Sequence, residues 1–179
     1  EGPDGALGLL AFRPQAAGDP ELLESTLFDR QPLVDRLVQR IRASVLGESR
    51  HQQLIIGPRG SGKTHVISVV YHRLRSDSDL CGKLFIARLS EEQWGIASFL
   101  DLCVKVLEAL EAEHPGGLPA GWRERLFAGP MPSRRSEAPE AAQTRVALNL
   151  IRERLGERVL LLIAENLGDL FDVVDERGQ

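Results

Sequence analysis

The eight residues Gly57-Pro58-Arg59-Gly60-Ser61-Gly62-Lys63-Thr64 constrain this chain more than any other feature of it. They match G-x-x-x-x-G-K-[ST] without mismatch, and the spacing has a physical reason. Glycines let successive backbone N–H groups turn inward where a β-carbon would intrude. A helix starting at Lys63 would aim its N-terminal dipole into the same hollow. Lys63 adds a compact positive charge, and Thr64 adds a hydroxyl suited to a hard cation. These groups fit a polyphosphate, with Lys63 reaching the β- and γ-phosphates and Thr64 the Mg²⁺. At ordinary glycine usage such an octet arises by chance in roughly one chain in a hundred, so context decides. Here the apolar run Leu54-Ile55-Ile56 precedes it and a helical pattern follows. The predicted nucleotide-binding residues are therefore Gly57, Pro58, Arg59, Gly60, Ser61, Gly62, Lys63, Thr64 and the adjoining His65.

Around the octet, apolar spacing predicts a helix over Pro32–Leu46 and another over Lys63–Arg75. Strands are predicted at Leu54–Ile56, at Lys83–Leu89 and at Val159–Ala164. Between the last two lie a helix over Ile96–Glu113, an irregular insertion at about 114–139 and a helix over Glu140–Leu155. The insertion is rich in Pro and Gly, with a short helical turn expected at Trp122–Phe127. Residues 1–23 read as an extended or poorly ordered lead-in. Strand, loop, helix, strand, helix, helix, strand is the order of an α/β fold with a parallel sheet.

A phosphate site of this kind needs a second element, an apolar strand ending in an acid that holds Mg²⁺. Val159–Ala164 followed by Glu165-Asn166 is the candidate. Two registers stay open. In the preferred one Glu165 holds the metal and Asn166 stands where a water-polarising glutamate is usual; Leu167 and Leu170 then fall on expected apolar positions. In the other, Glu165 is that catalytic glutamate and Ala164 takes the place of the metal acid. The catalytic set is thus Lys63, Glu165 and Asn166, and the metal set is Thr64 and Glu165.

With these residues in place, the chain resembles P-loop ATPases of the AAA+/STAND group, particularly Orc1/Cdc6-like bacterial ATPase domains. The resemblance rests on the Walker A octet, on Val159–Asn166 and on Leu27-Phe28-Asp29-Arg30, and it covers about residues 24–171. In the family a hydrophobic-G-R-x segment packs near the adenine; here Asp29 stands in the glycine's place. The resemblance implies a three-layer P-loop NTPase fold over 24–179, incomplete at its C-terminus, because a sensor strand, arginine finger and helical lid have no sequence here. It implies ATP and Mg²⁺ as ligands and slow hydrolysis by an AAA+-type ATPase. The alternative is a STAND-type switch or scaffold with little turnover. The absence of N-K-x-D favours ATP over GTP. Protein or DNA partners would act through regions outside these residues, and oligomerisation is compatible with the family.

Composition narrows the remaining classes. The chain has 179 residues, 42% hydrophobic and 27% charged, enough apolar material for a core. Its 22 Lys+Arg against 26 Asp+Glu give a net charge of −4, which argues against a polybasic nucleic-acid binder. Only three of the basic residues are lysine, and the Arg-, Ala- and Leu-rich composition suggests a bacterial source. Cys81 and Cys103 form no C-x-x-C pair, and no run of about 18 apolar residues exists. With no secretion signal visible, a cytoplasmic location is expected and membrane association is not. His65 and His72 lie two helical turns apart, too far to share a metal ion. Glu91-Glu92 and Arg134-Arg135 read as solvated, and Trp94 and Trp122 as packing residues.

Overall fold

The computed structural model of the protein describes residues 20–47, 50–89, 96–127 and 139–165. It divides into two compact units at Lys83/Leu84, and each is described by itself. Glu91-Glu92, Trp94, Arg134-Arg135 and everything from Asn166 onward lie outside the described residues.

The first unit holds helices α1 (Pro20–Ser25), α2 (Gln31–Leu46) and α3 (Lys63–Ser76). In α2, Pro32 sits in the first turn, where its missing N–H costs no hydrogen bond. Val34, Leu37 and Val45 are its buried apolar positions; in α3 they are Val66, Val69, Val70, Tyr71 and Leu74. Helix α1 corrects the expected lead-in, because the chain is already helical at Pro20. Six residues hold no helix by themselves; α1 is fixed by bonds from α3. Arg73 Nη2 donates to Glu24 Oε2 at 2.6 Å and to Gln31 Oε1 at 2.6 Å, and Arg73 Nη1 donates to Asp35 Oδ1 at 2.6 Å. The Arg73 guanidinium in turn holds the Glu24 carboxyl below its ordinary pKa. Arg42 on α2 similarly pairs with Asp77 and Asp79 beyond the end of α3.

Leu54–Ile56 is a second correction. This run takes part in no strand ladder among the described residues, and Leu54 and Ile56 are 71% and 85% exposed. The reason is that a strand is a property of a pair. Apolar character predicts that a run is suited to a sheet, but only a neighbouring strand supplies the ladder hydrogen bonds.

The second unit holds β1 (Leu84–Leu89), α4 (Phe99–Glu113), α5 (Trp122–Phe127), α6 (Pro139–Leu155) and β2 (Val159–Ala164). The two strands pair in parallel, from Leu84 opposite Val159 to Leu89 opposite Ala164. Parallel neighbours need a long crossover, and α4 to α6 supply it. The fold is therefore α/β with a parallel two-stranded sheet among the described residues. Phe85, Ala87 and Leu89 on one face of β1 join Leu107 and Leu110 of α4, Leu126 of α5 and Ala147 of α6 in one core. Trp122 is a packing residue as expected: it is buried, and its Nε1 donates to Glu111 Oε2 at 3.1 Å. At the start of β1, the guanidinium groups of Arg154 and Arg158 lie 4.6 and 4.7 Å from the centre of the Phe85 ring. Gly117 leaves room for one of them, since a β-carbon there would stand 1.7 Å from Arg154 Cζ.

Helix α4 starts three residues later than its apolar spacing suggests, because Ser98 caps it. Ser98 Oγ accepts from Asp101 N at 3.2 Å, and Asp101 Oδ2 accepts from Ala97 N at 3.0 Å. This satisfies two backbone donors near the helix start. Ser98→Ala is expected to destabilise the second unit by about 1 kcal/mol, read as a lower urea midpoint with an unchanged m-value. No helix among the described residues is long and apolar enough to cross a membrane.

Candidate functional site: the phosphate-type loop and Glu165

The octet forms a loop closed on itself, leading into α3. Ser61 N donates to Pro58 O at 3.2 Å. Gly60 and Gly62 have φ of +77° and +78°, left-handed values that suit glycine and strain other residues. Gly62 is the N-cap of α3, and its carbonyl accepts from Val66 N at 3.0 Å. At Gly57 the constraint is space, because a β-carbon there would stand 2.9 Å from Ser61 Oγ. Each glycine of the motif is thus required by conformation or by room.

Lys63 folds back across this loop. Its Nζ donates to Gly57 O at 2.7 Å and to Pro58 O at 2.9 Å. The ammonium is held at the Gly57 end, while the helix N-terminus lies at the Gly62 end. Such an arrangement is chemically suited to an anion with several oxygens, offering backbone donors, a helix dipole and a cation. Thr64 lies in the first turn of α3, and its carbonyl accepts from Ser68 Oγ at 2.9 Å. His65, grouped with the octet from sequence, has Nε2 3.0 Å from Leu23 O, with Thr26 Oγ1 at 3.5 Å. A carbonyl can only accept, so Nε2 carries the proton. His65 thereby ties the first turn of α3 to α1.

Glu165 belongs to the second unit and directly follows β2. Its N donates to Leu89 O at 3.4 Å, continuing the line of the ladder. Its Oε1 accepts from Arg88 Nη2 at 2.8 Å and Nε at 3.2 Å. The two side chains are only 14% and 8% exposed. The register explains their meeting: Arg88 stands opposite Ile163, and Glu165 lies two residues on, on the same face of the sheet. Asn166, the other half of the predicted pair, is outside the described residues.

Sequence reasoning missed Arg88, though one signal for it existed, a lone charge inside the apolar stretch Leu84–Leu89. Arg30, singled out in the sequence only through the family resemblance of Leu27-Phe28-Asp29-Arg30, is a neighbour of the octet. The guanidinium of Arg30 lies beside Gly62, with Nη1 3.8 Å and Cζ 4.0 Å from where a β-carbon on that glycine would stand. Among the described residues no group of three or more His, Cys, Asp or Glu side chains is arranged to hold a metal ion. Mg²⁺ does not require one, since it is commonly held by one or two protein groups together with phosphate oxygens and water. No family model matches the chain, and no curated protein or solved structure matches it either.

Proposed function

We propose that the chain is the nucleotide-binding part of a P-loop ATPase, with a three-layer P-loop NTPase fold of the AAA+/STAND group. The observation that carries this reading is the octet's geometry: two left-handed glycines, a third with no room for a side chain, and Lys63 drawn across the loop at the head of α3. ATP·Mg²⁺ is the ligand. Gly57–Thr64 holds the phosphates, Lys63 bonds the β- and γ-oxygens, and the Thr64 hydroxyl and Glu165 are the protein's contributions to Mg²⁺. Bound Mg²⁺ supplies neutralisation of the phosphate charge. The reaction is ATP plus water to ADP plus phosphate, coupled in the AAA+ reading to work on a protein or DNA partner. The expected location is cytoplasmic, and self-association is compatible with the proposal.

One observation favours the second reading, a STAND-type switch with little turnover. Glu165 is engaged by two nitrogens of Arg88, so metal coordination or water activation has to compete with that pair.

In the register where Glu165 holds the metal, slow turnover follows from Asn166, because an amide polarises water less well than a carboxylate. Asn166→Glu is expected to raise steady-state phosphate release about 100-fold, while Glu165→Gln weakens Mg²⁺-dependent ATP binding. If Asn166→Glu changes nothing and Glu165→Gln abolishes turnover while ATP stays bound, Glu165 is the catalytic glutamate. A wild-type protein that neither binds ATP·Mg²⁺ nor releases phosphate defeats the proposal altogether.

A further inference from the structure

We infer that the second unit carries an oxyanion site at the start of β1, where the guanidinium groups of Arg154 and Arg158 hold a phosphate group, free or borne on a small organic molecule. The site is built around Phe85, the second residue of β1. It is independent of the nucleotide reading of Gly57–Thr64.

Three observations carry it. The first is convergence of charge. Arg154 Cζ and Arg158 Cζ lie 4.6 and 4.7 Å from the centre of the same Phe85 ring. Neither arginine is paired with a carboxylate among the described residues. Arg88 and Arg123 of the same unit are paired, the first with Glu165 and the second with Glu108 and Glu111. The Phe85 ring attracts both cations but supplies no net charge. Helices α4 and α6 end here, at Glu113 and Leu155. Each helix end is worth about half a negative charge, so the two together offset one guanidinium and leave the other without a counter-charge.

The second observation is that Arg154 is held in place. Its Nη2 donates at 3.0 Å to the carbonyl of His114, the C-cap residue of α4. Its guanidinium lies across Gly117, where a β-carbon would stand 1.7 Å from Cζ and 2.1 Å from Nη1. The His114 ring, 4.4 Å from that of Phe85 between centres, packs on the same aromatic side chain. Arg154 Nε is buried with no hydrogen-bond partner among the described residues, an arrangement folds seldom accept. Nη1 also makes no hydrogen bond there, but it is not buried. A hydrogen bond, a ring and a glycine thus fix the group, and one nitrogen is left for a ligand.

The third is the second cation. Arg158 is exposed, and its side chain makes no hydrogen bond or ion pair among the described residues. Its backbone is tied, since Arg158 N donates to Leu155 O at 3.0 Å in the turn between α6 and β2. A fixed fork and an open one on a single ring select the anion. One carboxylate is filled by one bidentate fork. A phosphate group has three acceptor oxygens and a charge of about −1.5 to −2, so it can accept from both.

The test is titration of the full chain with inorganic phosphate, phosphoserine and acetate, each against chloride at matched ionic strength. Proton–nitrogen correlation spectra follow the arginine Nε–H groups, those of Arg154 and Arg158 being identified by their loss in Arg154→Lys and Arg158→Lys. Wild type is expected to show saturable shifts of both resonances with inorganic phosphate or phosphoserine, and a higher melting temperature when either is bound. The tighter of the two names the source of the phosphate group. Lys63→Ala should respond as wild type does, which separates this site from the octet. Arg158→Ala removes an exposed side chain and should weaken phosphate about tenfold. Gly117→Ala keeps both charges but drives the Arg154 guanidinium from its seat, and should weaken phosphate by a similar factor. The inference is overturned by the absence of saturable shifts, by acetate binding as tightly as phosphate, or by shifts that vanish in Lys63→Ala. Wild-type affinity in Arg158→Ala or in Gly117→Ala overturns it as well.

Discussion

Lys63→Ala is expected to raise the dissociation constant for ATP·Mg²⁺ by about 100-fold, the largest effect on binding of any single change in the octet. Two terms oppose each other. A charge-assisted bond to a phosphate in a partly dehydrated loop is worth about twice a neutral one. In the free protein, however, the ammonium already bonds Gly57 O and Pro58 O at 2.7 and 2.9 Å, and those bonds must loosen as the phosphate arrives. The first term wins because the carbonyls carry partial charges and the phosphates full ones. Folding should hardly notice the substitution, since water can reach the Pro58 carbonyl that Lys63 leaves. Arg at this position should not rescue binding, because its planar fork replaces a point charge in a loop closed around the latter. Isothermal titration with ATP and with GTP at matched salt decides the matter, ATP being preferred by wild type. Equal ATP binding by wild type and Lys63→Ala would remove the octet from the site.

The largest effect on stability is expected at Arg88. Removing one member of an ion pair withdrawn from water leaves the other charge poorly compensated, and for side chains 14% and 8% exposed this costs about 3 kcal/mol. Arg88→Ala should therefore lower the urea midpoint markedly. Replacing both partners by apolar residues of similar volume, as in Arg88→Met with Glu165→Leu, should restore most of the loss, since neither charge then needs to be desolvated. A double variant no more stable than Arg88→Ala would show that Arg88 contributes through its hydrocarbon packing rather than its charge. The Arg88→Ala protein also separates the two functional readings. A rise in Mg²⁺-dependent ATP binding would mean that the pair holds Glu165 back from the metal.

Much of this architecture is legible in the residues, and the exceptions share a cause. Val34, Leu37 and Val45, or Leu107 and Leu110, recur at helical spacing and turn out buried, because burial of one helix face is a local pattern. Strands β1 and β2 are visible as apolar runs, although only β1 is buried along most of its length. Leu54–Ile56 shows the limit: the run has the composition of a strand, but pairing is not written in the three residues themselves. Helix α1 shows the converse. Nothing in Pro20–Ser25 outweighs its shortness, and the side chain that holds it, Arg73, lies 49 residues on from Glu24. In the site, the glycine spacing reveals the loop, because each glycine answers a backbone requirement. Arg88 and Glu165 are 77 residues apart and meet only through strand register. Arg30 reaches Gly62 through the packing of α2 with α3, and the sequence points to it only through the resemblance of Leu27–Arg30 to a family segment.

Helix α1 acquires a different significance from its bond to His65. A helix this short is folded only while something else holds it, and one of its holds is the ring on the third residue after Gly62. The amides of Pro20–Ser25 are thereby a built-in gauge of the first turn of α3. When that turn tightens, deuterium should enter α1 more slowly; when it frays, α1 should exchange first. A labelled nucleotide is not needed to watch the loop, because the chain carries its own indicator 42 residues upstream.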